Sequence, residues 1–163
     1  MITTLATSRL ILKPLELKDA DVIQEKFPHW DIVKFLAKRI PWPYPDDGAN
    51  IFLNEIALPA MRRSEHWYWT LRPKSMPENV IGVINLMEGV EENRGFWLDI
   101  AWQGRGLMTE ASEIVTDYWF LTLNKPRLRV TKAISNLASK RISERNGMKK
   151  IATKKKNMSV VGY

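Results

Sequence analysis

The chain has 163 residues and a formal net charge of +7, a length that suits one domain, residues 1–163, with a substantial core. It has no cysteine, which excludes disulfides, thiolate metal sites and a cysteine nucleophile and suits a cytoplasmic location. The start, Met1 to Leu5, lacks the basic and apolar segments of a leader peptide, and no apolar run approaches the roughly 20 residues that cross a bilayer, so no membrane partner is expected.

Arg9 to Lys13 reads as a first strand stopped by Pro14, which removes a backbone donor. Asp19 is placed to cap a helix that carries Asp21 in its first turn, buries Val22, Ile23 and Phe27 and ends at Pro28. Ile40-Pro41-Trp42-Pro43-Tyr44-Pro45 is an extended loop, because three prolines restrict themselves and the residues before them. From Asp46 or Asp47, the spacing of Ala49, Phe52, Leu53, Ile56 and Ala57 predicts a second amphipathic helix that kinks or ends at Pro59.

His66 to Arg72 and Val80 to Met87 are β-rich and read as an antiparallel pair. After the turn at Glu91-Glu92-Asn93, Gly95, Trp97 and Asp99 share one face of a further strand and Phe96, Leu98 and Ile100 the other. Trp102-Gln103-Gly104-Arg105-Gly106 then leads directly into a helix whose apolar face is Leu107, Ala111, Ile114, Val115, Tyr118 and Leu121. Two glycines able to take positive φ, followed by a helix N-terminus with unpaired N–H groups, have the form of a phosphate-binding turn, although short Gly-x-Gly runs also make plain tight turns. Leu128 to Ile134 reads as a strand. Asn136 is placed to cap a short helix through Arg145 that stops at Asn146-Gly147, with Gly147 in the left-handed region. Met148 to Thr153 offers one more strand, and little chain is left for a last hairpin strand.

Gln103-x-x-Gly106-x-Met108 resembles the acyl-coenzyme A pyrophosphate signature of the GNAT N-acetyltransferases, Gln/Arg-x-x-Gly-x-Gly/Ala, with Met108 departing at the sixth position. Further stretches agree in order: Thr7-Ser8-Arg9-Leu10-Ile11-Leu12-Lys13-Pro14, Ile81-Gly82-Val83-Ile84, Gly95-Phe96-Trp97-Leu98, and Asn136-x-x-Ser139-Lys140-Arg141 through Gly147-Met148. Together they resemble the RimJ/RimL-like, ribosomal-protein N-acetyltransferase branch.

The resemblance implies an α+β GNAT fold, a mixed and mostly antiparallel sheet flanked by helices with two strands splayed around acetyl-CoA, the cosubstrate. It implies backbone N–H groups from Leu98 to Ile100 on the thioester carbonyl, and Gln103, Gly104, Arg105, Gly106, Leu107, Met108 and Thr109 around the pyrophosphate. Asn136 would bond the pantetheine arm and Ser139 would stand near the sulfur as general acid, while as residue types both are also ordinary helix-start residues. Trp42 and Tyr44 would line the acceptor cleft, or else clamp the loop to the core. The family usually closes its fold with a last hairpin strand, so a C-terminal strand region cut short is expected. No metal is implied, and His29 and His66 are too isolated to propose one.

The general base is open among Asp99, Glu88, a water relay and an amine that arrives neutral, and Glu110 in the first turn of a helix reads as structural. Acceptor readings are a protein N-terminal amine, with ribosomal association, or a small-molecule amine. Two further classes stay open. A non-catalytic acyl-CoA sensor follows from the missing late carboxylate. A basic RNA- or ribosome-binding module follows from Lys149, Lys150, Lys154, Lys155 and Lys156. Homodimerisation is compatible with the family and leaves no mark in the sequence.

Overall fold

The computed structural model describes residues 2–36, 40–155 and 159–162, with side chains as far as Thr153. Alternating apolar residues build a five-stranded antiparallel sheet in chain order: β1 (Leu5–Ala6), β2 (Leu10–Pro14), β3 (His66–Pro73), β4 (Gly82–Met87) and β5 (Arg94–Leu98). Pro14 is the last residue of β2, opposite Trp69, where its missing N–H costs least.

Both sheet faces are covered. Leu10, Leu12, Trp67, Trp69, Leu71, Ile84, Leu86 and Leu98 pack on one face under α5 (Leu107–Asp117). Trp69 is fully buried and meets the Tyr118 ring edge-on at 5.1 Å. Burial of a side chain this size is worth about 3 kcal/mol, and the ring contact adds about 1 kcal/mol. On the other face Tyr68, Val83 and Trp97 meet α1 (Ala20–Lys26), α2 (Trp30–Val33), α3 (Gly48–Phe52) and α4 (Leu58–Arg62).

A second, three-stranded sheet contains β6 (Thr131–Ala133), β7 (Ala152–Lys155) and β8 (Ser159–Gly162) in the order β6-β8-β7. The last hairpin, for which little chain is left, is nevertheless formed: β8 pairs antiparallel with both neighbours. Between β6 and β7 lies α6 (Leu137–Arg145), and Gly147 after it takes φ +79°, as its place past the helix end requires.

Several expectations are corrected. Asp19 stands at the N-cap position but makes no side-chain cap; its carboxylate is buried, accepts from Arg72 Nη2 at 3.0 Å and takes the Glu16 N–H at 2.9 Å. Val22 is only partly buried. A π turn, Leu53–Ala57, joins α3 to α4, so the helix runs past Pro59, and Ile56 is exposed. A second π turn, Tyr118–Thr122, extends α5; its extra residue rotates Leu121 out to 81% exposure and puts Trp119 into the core. The predicted Leu128–Ile134 strand keeps only Thr131–Ala133 in a ladder, because Arg129 is held instead by Asn93.

Candidate active site

The two sheets meet at Asn93. Its backbone N–H donates to the Arg129 carbonyl at 2.7 Å, its side-chain oxygen accepts from Arg129 N–H at 2.9 Å, and its amide nitrogen donates to the Met87 and Gly89 carbonyls. Thr131 Oγ1 adds a bond to the Glu91 carbonyl. From this junction β5 and β6 enter different sheets, and no ladder joins them among the described residues. A gap thus lies between two strand edges, and backbone groups on such edges are available to a bound chain.

At the end of β5 the chain forms a 3-10 turn, Ile100–Trp102, then the glycine turn and α5. Gly104 and Gly106 take φ +78° and +76°, and nothing stands within 4 Å of a Cβ built at Gly104. Both positions need glycine for backbone conformation, and Gly104 leaves open space beside it, while a Cβ at Gly106 would touch the Arg9 guanidinium at 3.5 Å. The first intrahelical bond of α5 is Glu110 N–H to the Gly106 carbonyl, so the N–H groups of Leu107, Met108 and Thr109 are without helical partners, at the positive end of the helix dipole.

The turn is held from two sides. Gln103 Nε2 donates to the Leu98 carbonyl at 2.9 Å. Arg9 Nη1 donates to the Arg105 carbonyl at 2.9 Å, and Arg9 Nε donates to Glu110 at 2.9 Å. Glu110 also accepts from Thr7 and Ser8 hydroxyls and from Arg9 N–H. Burial raises the Glu110 pKa, but the bonds from Thr7 and Arg9 outweigh it and leave the carboxyl below its ordinary value. The Arg105 side chain turns back to the Ala101 carbonyl and lies over the Trp102 ring. Arg9, Lys74 and Arg105 rim a cleft of about 350 Å³ beside this anchor. Met108 is buried in the core and offers the turn only its backbone.

Across the gap, Asn136 caps α6 by accepting from Ser139 N–H at 3.3 Å. Ser139 is buried, and its Oγ accepts from Lys132 Nζ at 2.6 Å. Lys132 extends from β6, only 8% exposed, with Nζ 4.9 Å from the centre of the Phe96 ring on β5. Burial, and then the Arg94 guanidinium, lower its pKa to about 7 against an opposing pull from Glu92. Arg94, itself buried and lowered to about 10 by desolvation, donates to Thr116 Oγ1. Lys132 was missed in the sequence. Its signal was present: at period two it shares a strand face with Leu128 and Val130, where a lysine demands a partner.

The two candidate bases lie in different places. Asp99 follows β5 and caps the 3-10 turn; it accepts from Ala101 N–H and lies 3.9 Å from Lys26 of α1, on the side of the sheet lined by α1 and α3. Its own N–H is taken by the Ile81 carbonyl at 2.7 Å, while the Ile100 N–H opens the 3-10 turn and has no partner within that turn. Glu88 pairs with Lys125 at the other end of the sheet, past Met87 and next to the Asn93 junction. The proline loop is bound to α1 through Gln24, which donates to the Pro45 carbonyl and accepts from Ala49 N–H. Tyr44 packs edge-on against Phe27 at 5.5 Å, and Trp42 lies half-exposed beside Trp30.

Residues 9–149 match the acetyltransferase (GNAT) domain family. The chain belongs to the GNAT family. Over 68 residues, 42% of this chain, it is 38% identical to the probable N-acetyltransferase YjcK of Bacillus subtilis (strain 168). That match spans 38% of the relative's length. Among solved structures, the GNAT fold is shared with RimL, a ribosomal L7/L12 alpha-N-protein acetyltransferase in complex with coenzyme A, which is disulfide-linked there to a cysteine of that enzyme (TM-score 0.80, 14% identity, 99% of this chain and 97% of that one). It is also shared with spermidine N-acetyltransferase from Vibrio cholerae in complex with coenzyme A and spermine (TM-score 0.77, 18% identity, 95% and 94%). Among the described residues no group of His, Asp and Glu could hold a metal ion, and no helix is long and apolar enough to cross a membrane. Lys149 and Lys150 are exposed; the side chains of Lys154, Lys155 and Lys156 lie outside the described residues.

Proposed function

We propose that this GNAT protein, as one domain, transfers acetyl from acetyl-CoA to the N-terminal amine of a protein, in the manner of the RimJ/RimL-like branch, by direct attack within a ternary complex. One observation carries the reading: the glycine turn follows β5 and the Asn136–Ser139 start of α6 follows β6, the two strands that enter different sheets. Leu107, Met108 and Thr109 N–H groups bind the pyrophosphate at the dipole end, with the Gly104 backbone leaving room for it. The facing edges of β5 and β6, with Asn136, take the amide groups of the pantetheine arm.

Acetyl-CoA supplies an activated thioester. Ile100 N–H stabilises the oxyanion that forms on amine attack. Asp99 takes a proton from the nitrogen as the C–N bond forms, and Ser139 gives its hydroxyl proton to sulfur as the C–S bond breaks. Trp42, with Trp30, meets the acceptor, and Tyr44 supports that wall through Phe27.

Calorimetric titration with acetyl-CoA, followed by thiol detection with peptides that begin with Ser, Ala or Met and with spermidine, tests the reading. Thiol release with a peptide, matched by a mass gain of one acetyl group at its N-terminus, is the expected result. Release with spermidine alone would assign a small-molecule acceptor. Binding without release from any amine would leave an acyl-CoA sensor, and no binding would end the coenzyme reading and favour the RNA-binding class.

A further inference from the structure

We propose that Lys132 is the proton source behind Ser139, delivering a proton to the serine oxygen as Ser139 protonates the departing thiolate. The inference rests on the acetyl-transfer reading above and adds a positioning residue to it. Three observations converge. Lys132 sits on β6, on one side of the gap, and its Nζ reaches the Phe96 ring on β5 at 4.9 Å, so the side chain spans the space between the strands. Nζ stands 2.6 Å from Ser139 Oγ. Both residues are more than nine-tenths buried, so the ammonium bonded to Ser139 Oγ is the proton donor at hand when the C–S bond breaks.

The hydrogen-bond directions suit a relay. A lysine ammonium only donates, so it fills one acceptor site of the serine oxygen and leaves the single serine O–H free to point at another acceptor. Asn136 holds the Ser139 backbone from the other side and fixes the serine at the helix start. The charged groups facing Lys132 are Arg94 from β5, which disfavours the ammonium, and Glu92 from the approach to β5, which favours it. The face of Phe96 also favours the cation. With burial added, the amine titrates at about 7, so both forms are populated near neutral pH, as proton transfer requires.

The step balances. The C–S bond breaks and its electron pair goes to sulfur; the Ser139 O–H bond breaks and S–H forms. A Lys132 N–H bond breaks and restores the serine hydroxyl. Lys132, left as the neutral amine, takes a proton from solvent before the next turnover, and the proton lost by the acceptor nitrogen returns to solvent, so no net proton is consumed.

The test is kcat against pH, with acetyl-CoA and the peptide that gives the fastest thiol release, for wild type, Lys132→Met, Lys132→Arg and Ser139→Ala. In wild type, kcat falls as pH rises above about 7, because the ammonium form is the donor. Lys132→Met lowers the plateau by about tenfold to a hundredfold and loses that falling limb; the lower bound reflects how well a thiolate leaves unaided. Lys132→Arg keeps the charge and the bond to Ser139 but cannot give up its proton, so it does not restore the rate, whereas a merely structural cation would be rescued. Ser139→Ala also loses the limb, and the double variant is no slower than the slower single, as expected for groups in series. Ser139→Ala carries the test if Lys132→Met fails to fold. A falling limb that survives in either Lys132→Met or Ser139→Ala overturns the relay while acetyl transfer stands. Wild type that binds acetyl-CoA and releases no thiol with any amine overturns both readings.

Discussion

Replacing Glu110 by Ala is expected to unseat the glycine turn through Arg9. Glu110 gathers four donors from the β1–β2 turn, the Thr7 and Ser8 hydroxyls, Arg9 N–H and Arg9 Nε. Its side chain is 18% exposed and that of Arg9 51%, so the ion pair itself is worth no more than about 1 kcal/mol. The bonds from the Arg9 amide and the part-buried Thr7 hydroxyl contribute about 1 kcal/mol each, and a carboxylate in the first turn of α5 adds about 0.5 kcal/mol. The total, about 3 kcal/mol, corresponds to a Tm loss of about 6–12 °C in a chain this long. Arg9 without its anchor also releases the Arg105 carbonyl, and one hydrogen bond of about 1 kcal/mol weakens acetyl-CoA about fivefold. Thermal unfolding by circular dichroism and calorimetric titration with acetyl-CoA measure both effects. A Tm within about 2 °C of wild type would refute the anchor, and a large Tm loss at unchanged Kd would uncouple it from the turn. The pH dependence has a definite sign. The folded-state pKa of Glu110 is depressed below 4.5, so its stabilisation is present above about 4.5 and is lost as pH falls through the folded value. The stability gap between wild type and Glu110→Gln therefore closes in acid.

Lys132→Met is expected to stabilise the fold most below about pH 7 and to lose that advantage as pH rises toward 10.5. Below 7 the lysine is charged in both states and its buried charge is a cost to the fold; above 10.5 it is neutral in both. Urea unfolding at pH 6 and pH 10 separates these cases, and a gain independent of pH would contradict it. Gly104→Ala forces an L residue to φ +78° with nothing to clash against, so a cost of about 1–2 kcal/mol should appear from backbone strain alone, together with weaker acetyl-CoA binding; an unchanged Tm would show that the turn relaxes. Asp19→Ala leaves Arg72 buried without its carboxylate and should cost about 3–5 kcal/mol while kcat/KM in the folded protein stays at the wild-type value. Asp99→Asn should lower kcat at neutral pH by about a hundredfold if this carboxylate takes the amine proton, with acetyl-CoA affinity retained; wild-type kcat would remove Asp99 from the mechanism.

Most of the sheet was legible because burial of both faces makes β3 and β4 short β-rich runs with few charges, and the glycine turn announced itself by composition. The caps Asn136 and Gly147 are local chemistry and could be read locally. What failed was set at long range. The π turns at Leu53–Ala57 and Tyr118–Thr122 carry no residue signature; packing chooses the wider turn, and Ile56 and Leu121 face solvent as a result. Asp19 has the residue type of a cap, but Arg72, 53 positions away, offers its carboxylate a buried partner. The partnership of Lys132 with Ser139 required two elements to pack before it existed, and the Asn93 junction joins segments that nothing in the sequence marks as neighbours.

That junction makes the gap a lever. Strand β5 runs five residues from Arg94 to Leu98, about 16 Å at the usual rise, and at the level of the strands its attachment to the second sheet is concentrated at one end. A rotation of about 5° at Asn93 therefore displaces the far end by about 1.4 Å, the scale of one added carbon in an acyl chain, without breaking any rung of either sheet. The spacing of the two strands at the far end of β5 is thus tied to the five hydrogen bonds of a buried asparagine at the near end.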